Sequence, residues 1–235
     1  MAMTMAMAMA TTMTTPNQSG GPDAAEPPRD CPLCPRLLAY RAANRVANPD
    51  WWNAPVPSWG ERSGRLLVVG LAPGVRGANR TGRPFTGDFA GLLLYQTLVK
   101  FGFASGRYDA DPSDGLVLRD CRIVNAVRCV PPANLPTPQE IRTCNGFLKA
   151  EIEAVTEAKA VLALGVVAHN AVLRARGLPA SRQKFQHGQI IALPDGVLLA
   201  DSYHVSRYNT NTGRLTTAMF EAVVGGIRQR LGAPG

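Results

Sequence analysis

Short, wholly apolar runs alternate with longer amphipathic stretches along this chain. Residues 65–71 (R-L-L-V-V-G-L) and 121–127 (C-R-I-V-N-A-V) are nearly continuous apolar runs, a pattern typical of strands buried on both faces. Residues 160–164 (A-V-L-A-L) predict a further strand, followed by a turn at Gly165 and a helix. Residues 189–203 predict either a pair of strands or one strand, with a turn at Asp195-Gly196.

Helical spacing predicts four more elements. The stretch 36–47 has helical spacing, with Leu37, Leu38, Arg41 and Val46 sharing a face in part. Residues 88–102 predict a helix that stops at Gly102, with Leu92, Leu93, Tyr95 and Leu98 facing inward. Thr137, Pro138 and Glu140 form a helix start with a capping box, and that helix should run to about residue 158. Residues 212–231 predict a closing amphipathic helix.

Alternating buried strands and helices predict an α/β fold, a three-layer α/β/α sandwich around a mostly parallel central sheet. Ligands of such sheets bind beyond the carboxyl ends of the strands. Three loops are expected there, at residues 72–88, 125–132 and 202–211, and they hold most of the unusual residues of the chain. This convergence is the main reason to expect a site.

Composition distinguishes the N-terminal segment from the rest of the chain. Residues 1–26 (M-A-M-T-M-A-M-A-M-A and onwards) are interpreted as a disordered low-complexity tail, and residues 27–235 as a single domain. No apolar stretch approaches the ~20 residues that span a bilayer, so we expect a cytoplasmic protein without a membrane partner, most simply a monomer. The formal charge of +8 favours a nucleic-acid partner, although an arginine-rich genome explains the same excess.

Five cysteines and no secretory signal argue against a disulfide framework. Cys31 and Cys34 form C-P-L-C, whereas Cys129 and Cys144 are widely spaced; Cys121 lies in an apolar run and is predicted to be a buried strand residue. Four such thiolates suit a soft metal centre, either zinc or iron–sulfur. The wide second pair favours a structural [4Fe–4S] cluster that fixes the N-terminal segment to the folded domain.

The three loops carry the candidate chemistry. The first (G-L-A-P-G-V-R-G-A-N-R-T-G-R-P-F-T-G-D) combines glycines, which admit a ligand close to the backbone, with arginines that suit phosphate. It lacks the patterns of nucleoside triphosphate and dinucleotide sites. Asn125 offers an amide to a base edge, and His204 is followed by hydroxyls, arginine and asparagine. His169 and His187 are interpreted as structural or surface residues.

The motifs G-L-A-P-G…N-R-T-G-R-P-F-T-G-D, N-A-V-R-C-V-P-P and S-Y-H-V-S-R-Y-N-T-N-T-G-R-L-T together resemble the uracil-DNA glycosylase superfamily, and more narrowly its iron–sulfur family 5 (UDGb type). The resemblance spans residues 31–231. It implies an enzyme that flips uracil out of DNA and hydrolyses its N-glycosidic bond, with hypoxanthine and xanthine as further substrates. It also implies a [4Fe–4S] cluster on Cys31, Cys34, Cys129 and Cys144.

Residue roles follow from the same resemblance. Phe85 would stack on the flipped base, Asn125 would bond its edge, His204 would face its O2, and residues 206–211 would form a loop that wedges into DNA. The implied catalytic residues are Asp88, His204 and Asn125. The implied substrate-binding residues are Gly70, Ala72, Gly74, Phe85, Asn125 and His204. The implied DNA contacts are Arg80, Arg83, Ser206, Arg207, Asn209 and Arg214.

Two departures from the family pattern refine this expectation. Leu71 and Ala72 stand where many relatives carry a polar residue that positions water, so a largely dissociative cleavage is expected, with Asp88 stabilising the cation or orienting water. Val205 replaces a frequent proline.

Structural roles remain open for Asp88 as a helix cap, Asn125 as a core amide and Phe85 as core. A non-catalytic iron–sulfur or zinc module that binds nucleic acid is the alternative function, and a hydrolase of free nucleotides is a weaker one.

Overall fold

A computed structural model describes residues 23–232, and these residues form a six-stranded sheet with helices on both faces. The strand order is β1-β5-β2-β6-β8-β7. The strands of this sheet are β1 (Trp59–Gly60), β2 (Leu66–Gly70), β5 (Cys121–Asn125), β6 (Ala160–Leu164), β7 (Ile190–Ala192) and β8 (Leu198–Ser202). A separate hairpin contains β3 (Ala104–Ser105) and β4 (Val117–Leu118).

The four central strands run parallel, and the edge strands β1 and β7 pair antiparallel to their neighbours. Every residue of β2, β5 and β6 is buried, as the continuous apolar runs predicted. Cys121 is one of these buried residues, which confirms that prediction. The predicted strand pair is also confirmed, since β7 and β8 form a hairpin.

Helices cover the two faces of the sheet in separate layers. The helices are α1 (Pro35–Ala47), α2 (Ala78–Thr81), α3 (Phe89–Lys100), α4 (Pro138–Ala154), α5 (Val166–Ala175), α6 (Arg207–Asn211) and α7 (Thr217–Leu231). One core cluster joins the sheet to α3 and α7, and a second joins the opposite face to α4 and α5. This arrangement confirms the expected three-layer α/β/α sandwich.

Capping residues predicted where a helix begins more accurately than apolar spacing predicted which side chains a helix buries. The capping box of α4 is present as predicted, with the Thr137 side chain accepting from the Glu140 N–H and Glu140 accepting from the Thr137 N–H. Helix α4 ends at Ala154, earlier than predicted, and α7 begins only at Thr217. Leu92 was predicted to face inward, and this is wrong, because it is 44% exposed. Val46, expected to share a face in part with Leu37, is 86% exposed although Leu37 is buried.

The N-terminal segment before α1 packs onto the edge of the sheet. The predicted tail lies outside the described residues up to residue 22; of its remaining part, Ala25 is buried and Glu26 forms ion pairs with Arg122 and Arg128. Both arginines also pair with the buried Glu151 of α4. Residues 23–26 are therefore part of the packed structure. No helix within residues 23–232 combines the length and apolar character of a membrane span.

Candidate active site

A cleft of about 1680 Å³ opens at the carboxyl ends of the parallel strands. The loop after β2, which ends at Asp88, supplies much of its wall, and Asn134 and His204 line it from other segments. Ala72 and Gly74 lie on this wall, as expected, and Ser206 and Arg207 border it on the β8 side. The first and third loops singled out in the sequence therefore meet at this cleft, and Asn134 lies two residues beyond the second loop.

Gly70, Phe85 and Asn125 form a close contact at the carboxyl ends of β2 and β5. Gly70 and Asn125 are register partners at the ends of β2 and β5. A Cβ atom at Gly70 would lie 2.4 Å from Asn125 Oδ1 and 2.5 Å from Phe85 Cζ. Only glycine leaves room for both groups. Asn125 is buried, and its Oδ1 has no hydrogen-bond partner in the structure. This unpaired acceptor argues against a satisfied core amide, because unpaired buried polar atoms are costly.

Phe85 is held in an unusual backbone conformation. Its φ is 51°, in the left-handed region that bulky residues rarely occupy. The turn is fixed from below, since Tyr108 Oη donates to the Phe85 carbonyl at 3.1 Å and Tyr95 Oη donates to the carbonyl of Pro84. A Cβ atom at Gly91 would lie only 1.9 Å from the Phe85 carbonyl oxygen, so α3 also presses closely on this turn. Strain that the surroundings maintain in this way is characteristic of functional positions.

His204 lies next to Phe85, with 6.1 Å between the ring centroids and 33° between the ring planes. It follows β8, and Asn209 Nδ2 donates to its carbonyl oxygen at 2.8 Å, which fixes the loop that carries it. Burial lowers the pKa of the His204 imidazole to about 4. The ring is therefore neutral at physiological pH, and one of its nitrogens is a hydrogen-bond donor.

Asp88 has two distinct contacts. It is the N-cap of α3, with Oδ1 accepting from the Ala90 N–H at 3.1 Å, so the capping role foreseen for it is confirmed. Its Oδ2 faces the turn at Gly74 and Gly77, where a Cβ at Gly77 would lie 2.3 Å away. Burial raises the pKa of this carboxyl group, and the side chain lines the same cleft as His204. Capping leaves Oδ2 available to the cleft.

The segment expected to wedge into DNA contains a short helix. Ser206 caps α6 by accepting from the Asn209 N–H, and Asn209 in turn holds His204. Arg207 is exposed and lies over the Phe89 ring at 5.3 Å. Arg80, on α2 within the first loop, is exposed, with its Nε donating to the Arg76 carbonyl.

The prediction that Arg83 contacts DNA is wrong. The structure buries its guanidinium in a bidentate ion pair with Asp114, at 2.9 and 2.7 Å, and places it over the Trp59 ring at 4.8 Å. Thr86 Oγ1 accepts from its Nε. With its donors engaged below the surface, Arg83 is part of the scaffold that supports the Phe85 turn.

A second cleft of about 1060 Å³ adjoins the first and shares His204 with it. The Tyr203 ring borders it and lies between His187, stacked at 4.6 Å, and the guanidinium of Arg214, also at 4.6 Å. His187 Nδ1 accepts from the Tyr203 N–H, so its other nitrogen carries the proton. Sequence reasoning missed His187, since its approach to Tyr203 and the cleft depends on the fold.

His169 is a structural residue, as expected. It is fully buried, with Nδ1 2.8 Å from Asp201 Oδ1 and Nε2 3.0 Å from the Gln183 carbonyl. Asp201 also accepts from Gln189 Nε2 at 2.6 Å and from the Gln186 N–H at 3.2 Å. This network fixes the segment that leads to His187.

All four cysteines of the predicted ligand set line one small cavity. Cys129 and Cys144 belong to a small apolar cluster with Leu37 of α1, and Ala72 of the active-site loop packs against the same cluster. Burial raises the pKa of the Cys34 thiol to about 11 and that of Cys144 to about 12. The N-terminal segment, the loop after β5 and helix α4 meet here.

A buried cation accompanies these sulfurs. Arg41 is 1% exposed, donates to Cys129 Sγ at 2.8 Å and to the Cys31 carbonyl at 2.9 Å, and its Nε has no partner. Within residues 23–232 it forms no ion pair with a carboxylate. Buried charges require compensation, and a set of thiolates provides it. Even so, no group of three or more His, Cys, Asp or Glu side chains in these residues is arranged to hold a metal ion.

Comparison with known proteins bears directly on this site. The model of the uracil DNA glycosylase superfamily matches residues 57–227. The chain is 44% identical over 199 residues to a type-5 uracil-DNA glycosylase of Thermus thermophilus, covering 83% of this chain and 90% of that protein. It is 44% identical over 201 residues to a type-5 uracil-DNA glycosylase of Mycobacterium leprae, covering 82% and 88%. A type-4 uracil-DNA glycosylase of Thermotoga maritima is 37% identical over 105 residues, 44% of this chain and 46% of that protein.

Proposed function

The chain belongs to the uracil-DNA glycosylase superfamily, and from this premise we propose that it is a DNA-repair hydrolase that removes uracil from DNA. The observation that carries the proposal is the meeting of Phe85, Asn125 and His204, from three separate loops, at one end of the sheet. A base within a duplex is inaccessible, so it must be extruded into such a pocket before its glycosidic bond is attacked.

Phe85 and Asn125 are the proposed reading surface for the base. The phenyl ring replaces the stacking lost on extrusion, worth ~1–3 kcal/mol per base. The free Oδ1 of Asn125 accepts from uracil N3–H, while its amide nitrogen donates to O4. Cytosine reverses the donor and acceptor at these positions, so the same amide orientation rejects it.

The ring separation supports a position for His204 at the edge of the base. A base sandwiched between two parallel rings needs about 7 Å, twice the contact distance of carbon atoms. The 6.1 Å between Phe85 and His204 is shorter, so we place the imidazole against the O2 edge of a base stacked on Phe85.

Cleavage breaks the C1′–N1 bond, and its electron pair leaves with the base, delocalised onto O2. A neutral imidazole N–H aimed at O2 strengthens as this charge develops, which is the requirement for catalysis. Asp88, in its ionised form, faces the positive character that remains on the sugar. Water then adds to C1′, and the proton that it loses neutralises the uracil anion, giving an abasic site and free uracil.

Substrates other than uracil follow from the apolar wall. Leu71 and Ala72 place no polar side chain on the cleft, so nothing in that wall demands a single exocyclic group. We therefore extend the proposed substrates to hypoxanthine and xanthine. The cleft, the reading surface and the cysteines all come from one chain, and we expect no obligate protein partner.

We further propose that Cys31, Cys34, Cys129 and Cys144 hold a [4Fe–4S] cluster. Their shared cavity and the uncompensated charge of Arg41 support this donor set. When bound, the cluster supplies structural cross-linking, and the residues of the cleft act on the base without redox chemistry.

Excision from oligonucleotides tests the function. We expect single-turnover cleavage of the glycosidic bond in DNA containing one uracil, read as strand breaks after alkali, and no reaction of the same sequence with thymine. Asn125→Ala and His204→Ala should each lower the rate about 10²–10³-fold, as loss of one oxyanion donor does. Asn145→Ala is the matched control for Asn125, since Asn145 donates to the Ala171 carbonyl inside the helical layer.

An inert wild type that binds DNA and retains its iron would refute the enzyme and favour the nucleic-acid-binding module. The cluster has its own test, because about four irons per chain and brown colour should appear together in anaerobic preparations. Zinc at one per chain in a colourless protein would refute the cluster without affecting the proposed chemistry.

A further inference from the structure

Two exposed apolar side chains stand next in the chain to residues that line the cleft. Leu135 is 69% exposed and Tyr208 is 71% exposed, more than any other large hydrophobic residue in the described chain except Val46. Each is the immediate neighbour of a residue that lines the cleft, Asn134 and Arg207 respectively. Apolar side chains left at the rim of a nucleic-acid site are suited to contact bases that extrusion exposes.

The two side chains reach the cleft from different sides. Leu135 belongs to the loop after β5, and Tyr208 lies on α6, after β8. In the sheet, β2 and β6 stand between β5 and β8. Three strand spacings amount to about 14 Å, so the loops flank the cleft instead of forming one continuous lip.

The loop that carries Leu135 is held rigidly. Ala133 and Asn134 have φ values of 54° and 57°, so two consecutive residues that are not glycine occupy the left-handed region. Arg36 Nη2 donates to the Leu135 carbonyl at 3.0 Å, and the same guanidinium forms a bidentate ion pair with Glu140 at 2.7 Å. Glu140 closes the capping box that starts α4 just beyond the loop.

Arg36 ties this loop to the cysteine-bearing segment. It stands in the first turn of α1, two residues after Cys34, while the loop lies between Cys129 and Cys144. The strained backbone and the contacts of Arg36 with both the Leu135 carbonyl and Glu140 limit the movement of this loop. The loop therefore holds the exposed Leu135 side chain in a fixed position. Its sequence, P-P-A-N-L-P, supplies prolines that further limit its freedom.

We propose that Leu135 is a DNA-contacting prong on the β5 side of the cleft, in addition to the segment 206–211 on the β8 side. Its side chain packs against the base and sugar next to the extruded nucleotide. Arg36 is the positioning residue that fixes it. The inference rests on the proposed function, since it concerns DNA in the same cleft. The prong supports extrusion from a duplex, where the stacking of the base must be broken. It contributes little on single-stranded DNA, because the stacking of the base is already weak there.

The test compares duplex and single-stranded substrates of the same sequence. Leu135→Ala should lower single-turnover excision of uracil from duplex DNA by about fivefold or more, and leave excision from single-stranded DNA within about twofold of wild type. Leu92→Ala is the matched control, because it removes an exposed leucine on α3 whose neighbours in the chain do not line the cleft. Both variants should fold with the thermal midpoint of the wild type, since neither residue is buried.

A second variant tests the positioning role. Arg36→Gln should reproduce the selective loss on duplex DNA, and adding it to Leu135→Ala should cause little further loss, because both changes remove the same prong. Equal losses on both substrates would show that Arg36 acts only through stability and would overturn its role.

Wild-type-like excision from duplex DNA by Leu135→Ala would overturn the prong while leaving the glycosylase intact. Absence of excision by the wild-type protein from either substrate would instead refute the proposed function itself.

Discussion

One methyl group at Gly70 should disable the site without unfolding the protein. In Gly70→Ala, the new Cβ would lie 2.5 Å from Phe85 Cζ and 2.4 Å from Asn125 Oδ1. Carbon atoms pack at 3.5–4.0 Å, so the ring must retreat by about 1 Å, and the amide must move by a similar amount. Displacements of this size cost ~10²-fold in rate when they affect reacting groups. Overpacking of this kind costs about 1–3 kcal/mol of stability.

The assay is single-turnover excision of uracil from duplex DNA, together with urea unfolding. Gly146→Ala is the control, since a Cβ there meets nothing within 4 Å and the residue lies within α4. That change should leave the rate unaltered and raise the free energy of unfolding by about 0.5–1 kcal/mol, because alanine is the better helix former. Should Gly70→Ala excise uracil at nearly the wild-type rate, the idea that Phe85 and Asn125 jointly hold the base would be wrong.

Three further predictions concern charged groups. Asp88→Ser retains a good N-cap but removes the carboxylate, so it should abolish most activity at little cost in stability, whereas Asp88→Ala should also lose about 1 kcal/mol; full activity in the serine variant would exclude a catalytic carboxylate. Folding lowers the pKa of His204 from 6.5 to about 4, so the unfolded protein binds one more proton than the folded protein between these pH values. This group's contribution to stability is therefore lost as the pH falls. Relative to His204→Gln, the free energy of unfolding of the wild type should drop by about 2 kcal/mol between pH 8 and pH 5 in urea titrations. Arg83→Met should destabilise the protein by about 3–5 kcal/mol, because it leaves Asp114 buried and unpaired, and it should not change the salt dependence of DNA binding. Arg207→Ala should instead reduce the slope of log K for DNA binding against log salt concentration by about one.

Local patterns predicted the fold because the signals are strong where the chain is fully buried. The runs that form β2, β5 and β6 are apolar on both faces, and no other element explains them. The edge of the sheet where ligands bind then follows from parallel connectivity, so the meeting of the three loops could be foreseen. The individual roles of Phe85, Asn125 and His204 came from family resemblance, and the structure shows only that they lie together.

Other features depend on contacts between distant segments. Residues 92–94 are three consecutive leucines, so spacing alone does not decide which of them faces the core, and the close approach of Gly91 to the Phe85 turn sets the phase of α3. Arg83 looked like a phosphate ligand because its partner, Asp114, lies 31 residues away. His187 gained a place beside the cleft only through Tyr203, 16 residues further along the chain.

The division of the site between two parts of the sheet makes the protein suitable for a split reporter. A break in the exposed segment 179–182 would leave Phe85, Asp88 and Asn125 on one fragment and His204 on the other. Since β6 and β8 are paired along their whole length, recombination of the fragments would restore the sheet and the pocket together. Neither piece carries the imidazole and the phenyl ring at once, so a signal from base release would report reassembly without background from either half.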